Sequence, residues 1–303
     1  MAGLKELRMR IDAIKSTQKI TAAMKMVAAS RLRRVQILVD KNQGYADNLR
    51  NSAARVLADI EAEEREKHIK YVRPTILQTV KNPKNYLLVV ISSDRGLCGS
   101  YNTNAAKKAA ERIRQLKNDG KNVKVLCWGK KSYDILRHIF TDVDFSVREA
   151  LDKNVAYAKE AEKMSHLLLG AYKRHLFDVC EVVYADFITV VTRNFICEQI
   201  CPLPLNTAEN AQTLNMAGGA FYEYMPDKLS ILERIVPILF IDNLFRLLVN
   251  AAASEHSARM TSMDNATRNA KDMISDLTLR YNSLRQSAIT TELIEIIAGA
   301  EAV

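Results

Sequence analysis

The two ends of this chain are almost free of helix breakers. Between Leu4 and Ile60 there is no proline and a single glycine, Gly44; between Asp227 and Gly299 there is one proline, Pro237, and no other glycine. Proline removes a backbone donor and glycine costs conformational entropy, so stretches without them stay helical over long distances. Along the first stretch Leu4, Leu7, Ile11 and Ile14 recur at steps of three and four. That register then meets Gln18, Thr21 and Lys25 before turning apolar again at Ala28, Leu32, Val35 and Val39, while Ile20, Met24 and Val27 form a second stripe rotated around the helix. The pattern predicts a heptad seam with a local shift, made by two helices wrapped together. In the C-terminal stretch Ile274, Leu277, Tyr281, Leu284, Ala288 and Thr291 repeat the alternation, and Pro237 is expected to start or kink the helix. At 1.5 Å per residue, roughly 55 residues make a rod of about 80 Å, longer than one globular domain covers. An antiparallel pair, each rod hiding the other's apolar stripe, is the economical arrangement.

The middle changes period. Tyr86–Ser92 is a short apolar run followed by Asp94-Arg95-Gly96-Leu97-Cys98-Gly99 and a helical stretch, Asn104–Asn118. Val123–Trp128 reads as a strand, Lys131–Ile139 as a helix, Val143–Val147 as a strand and Val155–Phe177 as a helix, before two β-rich runs at Cys180–Thr192 and Phe195–Leu203. Strands alternating with helices predict a parallel sheet covered on its faces, with an antiparallel hairpin at one end. The fold class is therefore α/β: a two-helix antiparallel coiled coil (residues 1–70 and 227–303) around a central α/β domain (71–226), with a loop at 206–226.

Composition narrows the partners. Residues 1–41 hold ten Lys or Arg against three acids, Glu6, Asp12 and Asp40. Such a basic arm suits nucleic acid, an anionic membrane or an acidic protein surface. With no Phe, Tyr or Trp in that segment to stack on bases, an acidic protein is the favoured partner and nucleic acid is not expected. Glu6 and Asp12 also argue for mature structure rather than a transit peptide. The five cysteines are odd in number and irregularly spaced, with no second pair to complete a zinc site around Cys197 and Cys201, and read as reduced structural thiols. The most apolar stretch, Ile231–Ala253, is interrupted by Glu233, Arg234, Asp242 and Arg246 and is expected to be a buried helix, not a membrane span.

Catalytic chemistry is sparse. The Asp-Arg-Gly-Leu-Cys-Gly turn between a strand and a helix invites a phosphate-loop reading, yet matches neither common glycine-rich fingerprint, so its glycines read as geometric. No base accompanies Cys98, and His68, His138, His166, His175 and His256 lack ligand spacing. No catalytic residue, cofactor or metal is expected. On the rods, Met24-Lys25-Met26 and Arg31-Leu32-Arg33-Arg34 place apolar and cationic groups on faces not all needed by the seam, and Ser254–Asn269 is small, polar and interleaved with charge. Each reads singly as a solvated helical face; together they predict a contact surface.

Four blocks carry a resemblance: Ile20–Arg34 (ITAAMKMVAASRLRR), Ser92–Asn102 (SSDRGLCGSYN), Ala252–Ala270 (AASEHSARMTSMDNATRNA) and Tyr281–Ala300 (YNSLRQSAITTELIEIIAGA). In order and from end to end they strongly resemble the gamma subunit of F-type ATP synthases. The resemblance implies a central Rossmann-like domain and a shaft rotating inside a ring of alternating alpha and beta subunits. It also implies a foot on the membrane c-ring beside epsilon, at the cytoplasmic face of a bacterial inner membrane or the matrix face of a mitochondrial one. Rotation would force the beta subunits through open and closed states and couple ion flow to ATP synthesis.

Carried over by motif, the resemblance implies beta-subunit contacts at Met24, Lys25, Arg31, Arg33, Arg34, Arg285, Gln286 and Thr290. It implies an apolar sleeve around Ile294, Ile297, Ala298 and Val303, and a ring and epsilon foot at Leu203, Pro204, Glu209, Tyr222 and Tyr224. The chain departs from the family's commoner form at Ser100-Tyr101, where Gly-Phe is usual. Rival classes are a nucleotide-binding α/β enzyme and a coiled-coil scaffold unrelated to rotation.

Overall fold

A computed structural model describes residues 2–148, 156–204 and 223–301. Helix α1 spans Ala2–Lys67 and α5 spans Lys228–Glu301, 66 and 74 residues. Between them run β1 (Asn85–Ile91), α2 (Tyr101–Asn118), β2 (Asn122–Trp128), α3 (Lys130–Ile139), β3 (Asp144–Arg148), α4 (Tyr157–Lys173), β4 (Val179–Phe187) and β5 (Arg193–Cys201). The chain divides into two compact units, Leu32–Ala258 and the pair of segments Met1–Arg31 with Arg259–Val303. Half of α1 and the first part of α5 therefore fold with the sheet.

In the larger unit the sheet order is β3-β2-β1-β4-β5; every pairing is parallel except the β4–β5 hairpin. The two-residue period of a strand sorts its side chains. Leu88, Val90, Val125 and Cys127 face α2 and α3, where Ala106, Ala109, Ala110, Ile113 and Leu136 cover them. Val89, Ile91, Leu126, Cys180 and Val182 face the other way, onto Ala161, Met164 and Leu168 of α4, Val56, Leu57 and Ile60 of α1, and Leu232, Val236, Phe240, Leu244 and Leu247 of α5. The apolar stretch at 231–253 is thus spent on the core. Arg112 forks onto Glu181 at 2.6 and 2.7 Å, which satisfies a carboxylate that the sheet buries. All five cysteines are free, and burial pushes the Cys197 and Cys201 thiols up to about 12.

The helix ends have identifiable causes. Asp227 caps α5 by accepting from the Ser230 N–H at 2.9 Å and its hydroxyl at 2.7 Å. Helix α1 stops where His68 takes a positive φ of 53°. Pro237 neither starts nor ends α5, which begins nine residues earlier. Pro237 and Glu233 are both exposed, so the proline that removes one intrahelical donor lies on the outer face of α5.

Within each unit α1 and α5 run antiparallel. In the larger unit Asn42 donates to Asp242 at 2.6 Å, Lys228 pairs with Glu63 at 2.8 Å, and Leu32 and Val35 pack with Val249, Ala252 and Ala253. In the smaller unit the Thr267 hydroxyl donates to Thr21 at 2.8 Å and Lys25 pairs with Asp264 at 2.6 Å. The expected shift of the seam is not there. Thr21 is buried and Gln18 and Lys25 are partly buried, so the original register continues through polar residues, while Ile20 and Val27 of the supposed second stripe are 60% and 53% exposed. Hydrogen bonds across the helix pair replace the missing apolar contacts.

Candidate functional site

Two exposed helical faces and one strand-end loop are the places where chemistry or contact could occur. On α5 the partly buried positions, among the described residues, end at Tyr281. Beyond it Leu284, Ile289, Leu293, Ile294, Ile296 and Ile297 are each half exposed or more, beside exposed Arg285, Gln286, Thr290 and Ala298. Leu284, Ala288 and Thr291, which the three-four alternation assigns to the seam, are exposed as well. A soluble helix rarely keeps this many large apolar side chains in water without a partner. The Thr290 and Thr291 hydroxyls donate to the Gln286 and Ser287 carbonyls at 2.9 Å, bonds internal to the helix.

On α1, Arg31, Arg33 and Arg34 are exposed and Met24 is partly buried. Met9, Ile20, Met26 and Val27 add an exposed apolar face. The signal for that face is readable: these residues lie off the seam register on a helix that already has a partner. Lys25 is held by Asp264, whose carboxyl is pulled below the usual range first by the Lys25 hydrogen bond and then by Arg268.

The loop after β1 lies where doubly wound sheets bind ligands, beside the point at which strand order reverses. Here its donors and space are used internally. The Lys130 N–H at the start of α3 donates to the Asp94 carboxylate at 2.9 Å, so a side-chain anion already sits on that helix N-terminus. The Ser93 N–H and hydroxyl both reach Asn102 Oδ1, at 3.1 and 3.0 Å, and the Ser92 and Ser132 hydroxyls bond at 2.8 Å. At Gly129 (φ 119°) a side chain would come within 2.2 Å of the Ser92 carbonyl oxygen, so this glycine serves close backbone approach. The crevice itself is filled by α5: Tyr101 donates to the Ala251 carbonyl at 3.2 Å and Ser254 to the Ala185 carbonyl at 3.1 Å, over a cluster of Cys98, Tyr101, Ala185 and Ala258. Among the described residues no group of His, Cys, Asp or Glu is arranged to hold a metal ion.

Comparison with known proteins decides the family. A family profile described as ATP synthase matches residues 3–303. The chain is 40% identical to the ATP synthase gamma chain of Chelativorans sp. over 303 residues, covering all of both chains. It is 38% identical to the ATP synthase gamma chain of Pelagibacter ubique over 301 residues, 99% of each. This chain belongs to the ATP synthase gamma-chain family. Its fold is similar to a chain in the Euglena gracilis mitochondrial ATP synthase OSCP/F1/c-ring structure, with TM-score 0.65, 16% identity and coverage of 99% and 94%. It is also similar to a chain in the Tetrahymena thermophila central stalk and c-ring structure, with TM-score 0.53, 22% identity and coverage of 82% and 99%.

For this gamma-chain family member, the remaining expected residues divide in two. Leu203 is buried, its N–H donating to the Ile76 carbonyl at 2.8 Å; Pro204 is exposed; Tyr224 is partly buried and donates to Asp59. Glu209, Tyr222 and Val303, and nearly all of the 206–226 loop, lie outside the described residues. The segment 254–269 does not behave as one solvated face. Ser254, Ser257 and Ala258 are buried against the α/β domain, His256 is buried too, and exposure begins only further along α5. Hydroxyls at steps matching the apolar face, Ser254 following Leu247 and Ala251, were the available sign.

Proposed function

We propose that this chain is the central rotor shaft of a rotary F1Fo ATP synthase, coupling ion-driven rotation of a membrane c-ring to conformational cycling of catalytic beta subunits. Residues 1–70 and 227–303 supply the shaft and 71–226 the foot. The observation that carries this reading is the gamma-chain kinship along the full chain, joined to a helix tip whose isoleucines and leucines are exposed. A tip of that kind fits an apolar sleeve formed by a ring of subunits around Ile294, Ile297, Ala298 and Val303.

In this reading Arg285, Gln286 and Thr290 engage beta-subunit loops, and exposed Arg31, Arg33 and Arg34 meet acidic beta surfaces beside Met24. Lys25 reaches beta only by sharing or leaving Asp264. The foot comprises Pro204, Glu209, Tyr222 and Tyr224 facing the ring and epsilon; Leu203, expected among them, is buried in the core and supports that segment from within. The shaft then belongs to a membrane-associated complex, on the cytoplasmic face of a bacterial inner membrane or the matrix face of a mitochondrial one. Asymmetry is intrinsic to a rotor, because one axle shows different faces to successive beta subunits, and a few charge-assisted hydrogen bonds mark stopping positions. No catalytic residue or cofactor is assigned to the chain itself.

Co-expression with alpha and beta subunits tests the reading. The expected result is a stable complex that hydrolyses ATP and contains this chain. Recovery of the chain alone, with the alpha and beta subunits assembled without it, contradicts it.

A further inference from the structure

Arg246, Asn250, Ser254 and Ser257 follow one another on α5 at steps of four, four and three, a single helical face. Each bonds to the β4–β5 hairpin or the loop between its strands. The Arg246 guanidinium donates to Glu198 of β5 at 2.5 Å and to the Tyr184 hydroxyl of β4 at 3.3 Å. Asn243, one turn earlier, aims it by accepting at 2.9 and 3.2 Å, and Tyr184 in turn donates to Glu198 at 2.8 Å. Asn250 donates to Asp186 at 3.0 Å, Ser254 to the Ala185 carbonyl at 3.1 Å, and Ser257 to the Val190 carbonyl at 2.5 Å.

Alongside this polar line, Leu244, Leu247, Leu248 and Ala251 bury the apolar face of α5 in the core. Apolar burial resists separation but is non-directional, so it opposes rolling or sliding of a helix only weakly. Hydrogen bonds with fixed geometry oppose both, above all a planar guanidinium forked across two strands. Helix α5 gains nothing in adhesion from placing a partly exposed arginine here that a methionine would not supply more cheaply, since an ion pair still open to solvent adds little net stability. What the arginine adds is direction.

We propose that the Arg246–Asn250–Ser254–Ser257 line is the joint through which the α/β domain and α5 turn as one body, so that torque passes between foot and shaft without slip. The proposal rests on the rotor reading and names where within this chain its load is borne.

The test uses the assembled ATP synthase in sealed vesicles, with ATP hydrolysis and ion uptake measured on the same preparation. Two variants break the line at different points, Arg246→Met and the double change Ser254→Ala with Ser257→Ala. Both are expected to assemble and hydrolyse ATP while the ions moved per ATP fall by half or more. An unchanged ratio overturns the proposal, even if thermal stability drops, because the line is then packing alone. Failure of both variants to assemble makes it a folding requirement and overturns the proposal too. If the native chain forms no ATP-hydrolysing complex, the rotor reading fails first and takes the joint with it.

Discussion

Arg285 and Gln286 stand exposed on α5, beyond the last partly buried position among the described residues, and take no part in the core. Replacing both with Ala is expected to change the stability of the isolated chain by no more than about 0.5 kcal/mol, the usual range for exposed sites. In the complex the same double variant should lower turnover or coupling severalfold. Native rates of hydrolysis and synthesis would remove these residues from the contact. Glu63 offers a pH test. It accepts from Lys67 at 2.5 Å and Lys228 at 2.8 Å, and those hydrogen bonds, Lys228 first, hold its carboxyl down from an ordinary 4.5 to about 2. A depressed carboxylate contributes stability above its unfolded value that is lost as pH falls through the folded one. The stability that the Glu63 tie between α1 and α5 contributes should therefore be full above about pH 4.5 and be lost progressively between there and about 2. Carbon-detected NMR of the Glu63 side chain should titrate near 2; a midpoint near 4.5 means the tie does not form in solution.

At the scale of elements, α5 changes character along its length. Phe240 is fully buried in the core shared with the sheet, so Phe240→Ala is expected to cost about 3–5 kcal/mol in denaturant unfolding. Ile294 is 59% exposed, and Ile294→Ala should cost no more than about 0.5 kcal/mol in the isolated chain. Equal costs at the two sites would mean the tip is covered by the chain itself. The filled strand-end crevice adds a third expectation: equilibrium dialysis should find no stoichiometric tight binding of ATP or NAD, because α5 packs onto the loop after β1 at the strand ends. Saturable binding to the larger unit would contradict that occupancy.

The elements themselves are legible in the sequence because local patterns specify them. Missing proline and glycine mark α1 and α5, and the change of period marks the strands to within two residues except at the end of β4, which stops at Phe187 and not at Thr192. Tertiary choices are less visible. Thr21 and Lys25 read as a break in the seam when polarity is equated with exposure, whereas Thr267 and Asp264, over two hundred positions away, satisfy them. Ser254 and Ser257 read as solvated for the same reason. Arg246 reads as an interruption of an apolar run and is a specific contact whose partner, Glu198, sits on another element. The tip residues are reachable through family motifs, not through spacing: periodicity carries the seam on to Thr291, while its partly buried positions, among the described residues, end at Tyr281.

At the scale of the whole molecule, a chain of the ATP synthase gamma family joins a sheet to two long helices and leaves apolar surface on helix faces. Fold alone does not establish what such a molecule does. A rotor works by motion relative to its partners, and motion can be watched. With an alpha/beta hexamer fixed to a surface and a probe attached to the α/β domain of this chain, addition of ATP should drive stepwise rotation in one direction, stopping when ATP is exhausted. A hexamer that hydrolyses ATP at its native rate while the bound probe stays still, or only jitters without direction, would contradict a rotor.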